Sequence, residues 1–208
     1  MKKLLFTCAL ILIVFILIPV VMLHKSENKT SPPVNSVSHS SSTQDEPKVS
    51  NTSLSDDDIT YIATYASNFL DINDNTELKK SVLSICKNNF LYYKNSETTP
   101  EKLKISNYND TLFEELSEMV TKIDITLRFE EHTVYIPILR NSGTVTGASD
   151  EFPYMVSVAS PWEMFSKNFS RFTDYPCGVS VYGMSYLADS GLSSEEILRW
   201  YLPLFTVK

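Results

Sequence analysis

The run CGVSVYGMSYLADSGLSSEEILRWYLP, Cys177 to Pro203, decides how the rest of the chain is read. It holds three of the chain's five glycines, Gly178, Gly183 and Gly191. Glycine serves where φ is positive or where backbone must come close to something, so this spacing predicts a shaped loop rather than plain helix. A helix then starts cleanly. Ser193-Ser194-Glu195-Glu196 has the capping-box pattern, and Ile197, Leu198 and Tyr201 give an apolar face that ends at Pro203.

Working outward, three more helices are predicted upstream. Asp56 to Asp58 suit the positive end of a helix dipole, and Ile59, Ile62, Ala63, Ala66, Phe69 and Leu70 recur at helical spacing. Asp71 to Asn75 interrupt this helix, and Asp74 with Glu77 opens a second, running to about Tyr93 along Leu78, Val82, Ile85, Cys86 and Asn89. A third runs from Asp110 to about Thr121, with Leu112, Leu116, Met119 and Val120 inward. The clearest strand signal follows. Ile125, Leu127 and Phe129 alternate with polar residues, Glu130-Glu131-His132 makes a turn, and Val134, Ile136 and Ile138 continue the alternation. The expectation is an α+β domain, helices packed on an antiparallel hairpin or sheet.

The N-terminus is of another kind. Lys2 and Lys3 precede an apolar run from Leu4 to Leu23, long enough to cross a bilayer and lacking a small-residue cleavage site. Residues 1–25 therefore read as a short cytoplasmic stub and a single-pass membrane anchor, and the flanking lysines place everything after His24 outside the cytoplasm. Residues 26–55, rich in Ser, Thr, Asn and Pro, read as a disordered tether, and residues 56–208 as one folded domain. The formal net charge is −7, and the chain is more acidic still once Lys2 and Lys3 are set aside. No basic patch offers itself to a phosphate backbone, which excludes nucleic acid as an expected partner.

Three segments, in order, resemble the stage II sporulation protein D and amidase-enhancer (LytB-like) family. Leu78-Lys79 and the helix after it are similar to the family's E-A-L-K-A-Q-A segment. The hairpin, Ser142-Gly143-Thr144-Val145-Thr146, and then Pro153-Tyr154, Ser157-Val158 and Ser160-Pro161-Trp162 follow the family's hairpin, S-G-G-x-T loop and P-Y-L-x-S-V-x-S-P-W-D order. Gly178-Val179, Ser180, Tyr182-Gly183, Gly191 and Glu195-Glu196-Ile197-Leu198 resemble its C-terminal signature, with two positions missing after Val179 and Cys177 where the family has histidine. The chain resembles a shortened, divergent member, since only Met164 to Pro176 stand where the family has a much longer stretch.

The resemblance implies action on peptidoglycan glycan strands during engulfment, alongside a cell-wall amidase and a membrane partner. Family enzymes are lytic transglycosylases with a catalytic glutamate. Aligned on Leu78-Lys79 without a gap, that position falls on Asn68, and a register shifted by one puts it on Phe69. Neither side chain can protonate a glycosidic oxygen, because an amide does not titrate near neutral pH. The expectation is lost catalysis, with Asp71, Asp74 and Glu77 as the fallback carboxylates of a surviving enzyme. Ser142, Gly143, Thr146, Ser160, Trp162, Gly178 and Tyr182 are the expected glycan groove, since glycines admit a ligand to the backbone and aromatic faces suit sugar rings. The family's Cys/His-rich zinc insertion has no counterpart at Lys94 to Asn107. With only Cys86, Cys177 and His132 as soft ligands in the folded part, no metal or cofactor is expected. Cys86 and Cys177 fit either one disulfide or two buried thiols.

Overall fold

The computed structural model describes residues 54–96, 109–165 and 176–208. All belong to the unit Asn51–Lys208. The expected anchor at 1–25, the tether at 26–53, most of the segment from Lys94 to Asn107 and residues 166–175 lie outside the described residues. Among the described residues no helix is long and apolar enough to cross a membrane.

Among the described residues, five α-helices build the α+β domain. The first, α1 (Asp56–Ser67), starts as its sequence dictates: Ser55 Oγ accepts from Asp58 N at 3.2 Å while the Asp58 carboxylate accepts from Ser55 N at 3.0 Å. Its buried face is Ile62, Ala63 and Ala66, and the two alanines let α1 lie close against α3 (Asp110–Lys122). That third helix is capped by Asn109 Oδ1, which accepts from Leu112 N at 3.0 Å, and it turns Leu112, Leu116 and Val120 inward.

The helix between them in sequence, α2 (Thr76–Asn95), is the one that contacts each of the other four α-helices among the described residues. Its cap is Asn75, whose side chain accepts from Glu77 N, where Asp74 was the expected cap; Asp74 instead accepts from Asp71 N in the turn before. A helix enclosed on all sides should be apolar all round, yet α2 also buries Ser81, Ser84, Asn88 and Asn89. Each is satisfied locally or across the core. Ser81 and Ser84 donate to the carbonyls of Glu77 and Lys80 one turn back, both at 2.8 Å. Asn89 clasps the Ile136 peptide from both sides, donating to its O at 2.7 Å and accepting from its N at 2.8 Å, while Asn88 donates to Val134 O at 2.8 Å. Leu78, Val82, Leu83 and Ile85 complete the helix's core contribution, at about 2 kcal/mol of transfer free energy for each buried side chain.

The Asn88 and Asn89 clasp explains a departure from the expected hairpin. The turn itself forms: Phe129 and His132 exchange both backbone hydrogen bonds, with Glu130 and Glu131 at φ 47° and 65°. Beyond it the two arms separate. β1 (Leu127–Arg128) pairs antiparallel with β4 (Thr206–Val207) at the C-terminus, and β2 (Ile138–Leu139) pairs parallel with β3 (Val179–Ser180). The helix side chains satisfy the peptides of Val134 and Ile136 that a hairpin partner would otherwise have bonded.

The glycine-rich run is also corrected. Instead of a loop, Val181–Asp189 is a helix, α4, with Gly183 inside it. Ser180 Oγ caps it by accepting from Gly183 N at 3.2 Å. The last helix, α5 (Ser194–Tyr201), begins with the expected capping box of Ser193 and Glu196 and buries Ile197, Leu198 and Tyr201.

Candidate functional site

Two neighbouring features take up the residues singled out from sequence. One is closed and the other open.

The closed one centres on Glu163, in the short 3-10 turn Pro161–Phe165, whose side chain is fully buried. Its carboxylate accepts from Ser142 N at 2.6 Å, Ser142 Oγ at 2.7 Å and Ser160 Oγ at 2.5 Å. Ser160 Oγ also lies 2.8 Å from the Tyr201 hydroxyl, itself buried, and burial pushes that phenol far above its ordinary pKa. Gly183 completes the arrangement. A Cβ there would sit 1.8 Å from Tyr201 Oη, 2.6 Å from Ser160 Oγ and 3.0 Å from Glu163 Oε1. Glycine stands in this helix because the polar knot fills the space a side chain would need.

Most of the residues expected to form the glycan groove lie in or around this enclosed feature. Ser142, Gly143, Thr146, Ser160 and Gly178 are all buried. Thr146 pairs by backbone and by Oγ1 with Val158, Ser160 N donates to Thr144 O at 2.7 Å, and a Cβ at Gly178 would meet Pro137 O at 2.8 Å. At Gly178 the close approach is by the protein's own chain. Trp162 is half-buried and stacks on Tyr186 with ring centroids 5.3 Å apart and planes 2° from parallel, with Trp200 at 5.6 Å on a tilted plane. Tyr182 is half-buried, and its backbone N donates to Arg140 O at 3.1 Å.

The open feature is a cleft of about 250 Å³ at the C-terminal end of α1, lined by Asn68, Phe69, Asp71, Asn109, Leu112 and Arg140 among others. Both possible registers for the family acid, Asn68 and Phe69, therefore fall in it. Asn68 closes α1: its amide donates to the carbonyls of Thr64 and Tyr65 at 3.2 and 3.3 Å. The exposed Arg140 guanidinium donates through Nη2 to Asn68 O, which fixes a permanent cation at the rim. Arg140 precedes by two residues the Ser142 that Glu163 holds, so the knot and the cleft are adjacent along the chain.

Of the three fallback carboxylates, only Asp71 lines this cleft, exposed to solvent. Asp74 is half-buried, and loss of hydration raises its pKa above the usual carboxylate range, but its carboxylate is engaged by Asp71 N at 2.7 Å. Glu77 faces elsewhere. Its carboxylate accepts from Lys80 Nζ at 2.6 Å and from Ser194 N at 2.8 Å, and the lysine hydrogen bond, the largest of its lowering influences, holds it below its ordinary pKa. A general acid needs the opposite shift.

Cys86 and Cys177 are both free thiols, and burial raises the pKa of each. The described residues contain no group of three or more His, Cys, Asp or Glu able to hold a metal ion. His132 serves the tight turn through its backbone. Glu163 and Gly183 are the residues whose roles sequence reasoning missed; the one available signal was an acid directly after Ser160-Pro161-Trp162, where a buried carboxylate needs hydroxyl partners nearby.

No family model matches this chain, and no curated protein is similar enough to match it.

Proposed function

We propose that the protein is a membrane-anchored, engulfment-type sporulation protein that acts at the cell wall, binding peptidoglycan, partner proteins or both, without lytic transglycosylase activity. The anchoring and the location outside the cytoplasm rest on the apolar run from Leu4 to Leu23. The family reading rests on the three sequence segments set out above. One observation carries the loss of activity: the position expected for the acid lines an open cleft as Asn68, whose amide is tied to its own helix and has no proton to give. What the cleft retains is the Arg140 cation, suited to holding a carboxylate-bearing glycan or a partner's acidic side chain.

A second reading has one observation in its favour. Asp71 stands in the same cleft, so a relocated acid is geometrically available for an active lytic transglycosylase. Against it, Asp71 is exposed to solvent, whereas a general acid usually sits in an enclosed site that excludes water. Incubating the protein with purified sacculi separates the two readings. Binding without release of anhydro-muramyl products supports the first, and release abolished by Asp71→Asn establishes the second.

A further inference from the structure

We infer that the cleft between the start of α2, the end of α3 and the start of α5 is a separate binding site for a short zwitterionic peptide. The inference rests on the cell-wall reading and deepens it, since it names the part of the wall that this face would contact. The cleft has a volume of about 510 Å³, within the range typical of small-molecule sites, about 300–1,000 Å³. Its floor is aliphatic, made by Met119, Ile123 and Ile125.

Its rim carries both signs of charge. Lys80 and Lys122 supply two ammonium groups, and Glu115, Asp124 and Glu195 supply carboxylates. Lys80 and Lys122 pair with acids on their own helices, Glu77 at 2.6 Å and Glu118 at 2.5 Å, with Lys122 and Glu118 each about two-thirds exposed. Such surface pairs contribute little and exchange readily for a ligand carboxylate. Glu115 is oriented by the buried Lys79, which donates to both its oxygens at 2.9 Å and to Ile72 O at 2.8 Å. One acceptor is therefore fixed in place before any ligand arrives.

The lining selects a ligand class by elimination. No aromatic ring lines this cleft, so it offers no stacking face to a sugar. A polyanion would meet three carboxylates, and a polycation would meet two ammonium groups. A peptide carrying free carboxylates, a free amine and methyl-sized side chains matches the rim and the floor together.

The test is calorimetric titration of the full chain with the alanyl-γ-glutamyl-diaminopimelyl-alanine stem peptide. The control is the same peptide with its carboxylates amidated and its amines acetylated. Saturable binding is expected, weakened at least about tenfold by Lys122→Glu, by Met119→Trp and by neutralising the peptide. Lys122 is exposed, so its substitution leaves the core intact even if Met119→Trp misfolds. Absence of saturable binding to the unmodified chain overturns the inference, as does equal affinity across Lys122→Glu and the neutralised peptide. Sacculus pelleting by the unmodified chain distinguishes the two failures: it persists if only the peptide site is wrong, and it is lost together with peptide binding if the cell-wall reading is wrong.

Discussion

The Glu163 knot and the Asn68 cleft lie a few residues apart along the chain at Arg140 and Ser142, yet they differ in nearly every physical respect. The knot is fully enclosed and saturated: one carboxylate, two serine hydroxyls, a backbone amide and a tyrosine occupy all the space that Gly183 leaves. The cleft is open to solvent, and its most prominent charge, Arg140, is exposed. The residues most recognisable in sequence, Ser142-Gly143, Ser160-Pro161-Trp162 and Gly178 to Gly183, belong to or surround the enclosed feature. Recognisable residues can thus mark a scaffold rather than a binding surface, since these serve the enclosed knot and its surroundings while the neighbouring cleft is lined by residues of no comparable pattern.

Stability measurements would break this contrast most directly if the knot proved dispensable. Glu163→Ala strips the acceptor from three donors that water cannot reach, and should cost about 4 kcal/mol in urea unfolding. A loss near zero would mean that the knot rearranges freely. Gly183→Ala tests the same packing from the other side, because its methyl must push apart the hydrogen-bonded Ser160 and Tyr201 hydroxyls while leaving every polar group in place. With the new methyl placed 1.8 Å from Tyr201 Oη, a destabilisation of about 3 kcal/mol is expected.

Glu77 sharpens the contrast between acids that hold the fold together and acids poised for catalysis. Its folded pKa lies below the ordinary 4.5, chiefly because of Lys80. Its contribution is therefore complete above 4.5 and disappears as pH falls through the lower folded value. Glu77→Gln should lose about 1 kcal/mol at neutral pH, with the two proteins converging in acid. A gap that widens in acid would contradict the assignment.

The smallest stability effect belongs to the cleft itself. Arg140→Ala and Asp71→Asn alter exposed side chains and should each stay within about 0.5 kcal/mol of the parent, as is usual for surface substitutions. Sacculus pelleting is the measurement that separates them. Arg140→Ala should weaken it and Asp71→Asn should not.

Much of the helical framework was legible because its signals are local. Ser193 with Glu196 forms the expected capping box, α1 begins with Asp56 to Asp58 in its first turn as expected, and α3 ends within a residue of its expected limit. The parts that were not legible depend on distant partners. The alternation through Leu127 and Ile138 becomes strand only at Leu127–Arg128 and Ile138–Leu139, and it does not say that one arm pairs with Val207 and the other with Val179, 80 and 41 residues away. Gly183 looked like a loop residue because nothing nearby in sequence shows that Tyr201 and Ser160 occupy its side-chain space. The burial of most of the expected groove residues was not legible for the same reason. A serine or glycine next to an aromatic residue suits a ligand site and a buried polar knot equally well, and the deciding partner, Glu163, lies 21 residues from Ser142.

The central claim is that this chain binds the wall without cutting it. Purified peptidoglycan sacculi incubated with the protein should carry it into the pellet and release no anhydro-muramyl products. Product release that disappears in Asp71→Asn would contradict the account and make Asp71 the catalytic acid.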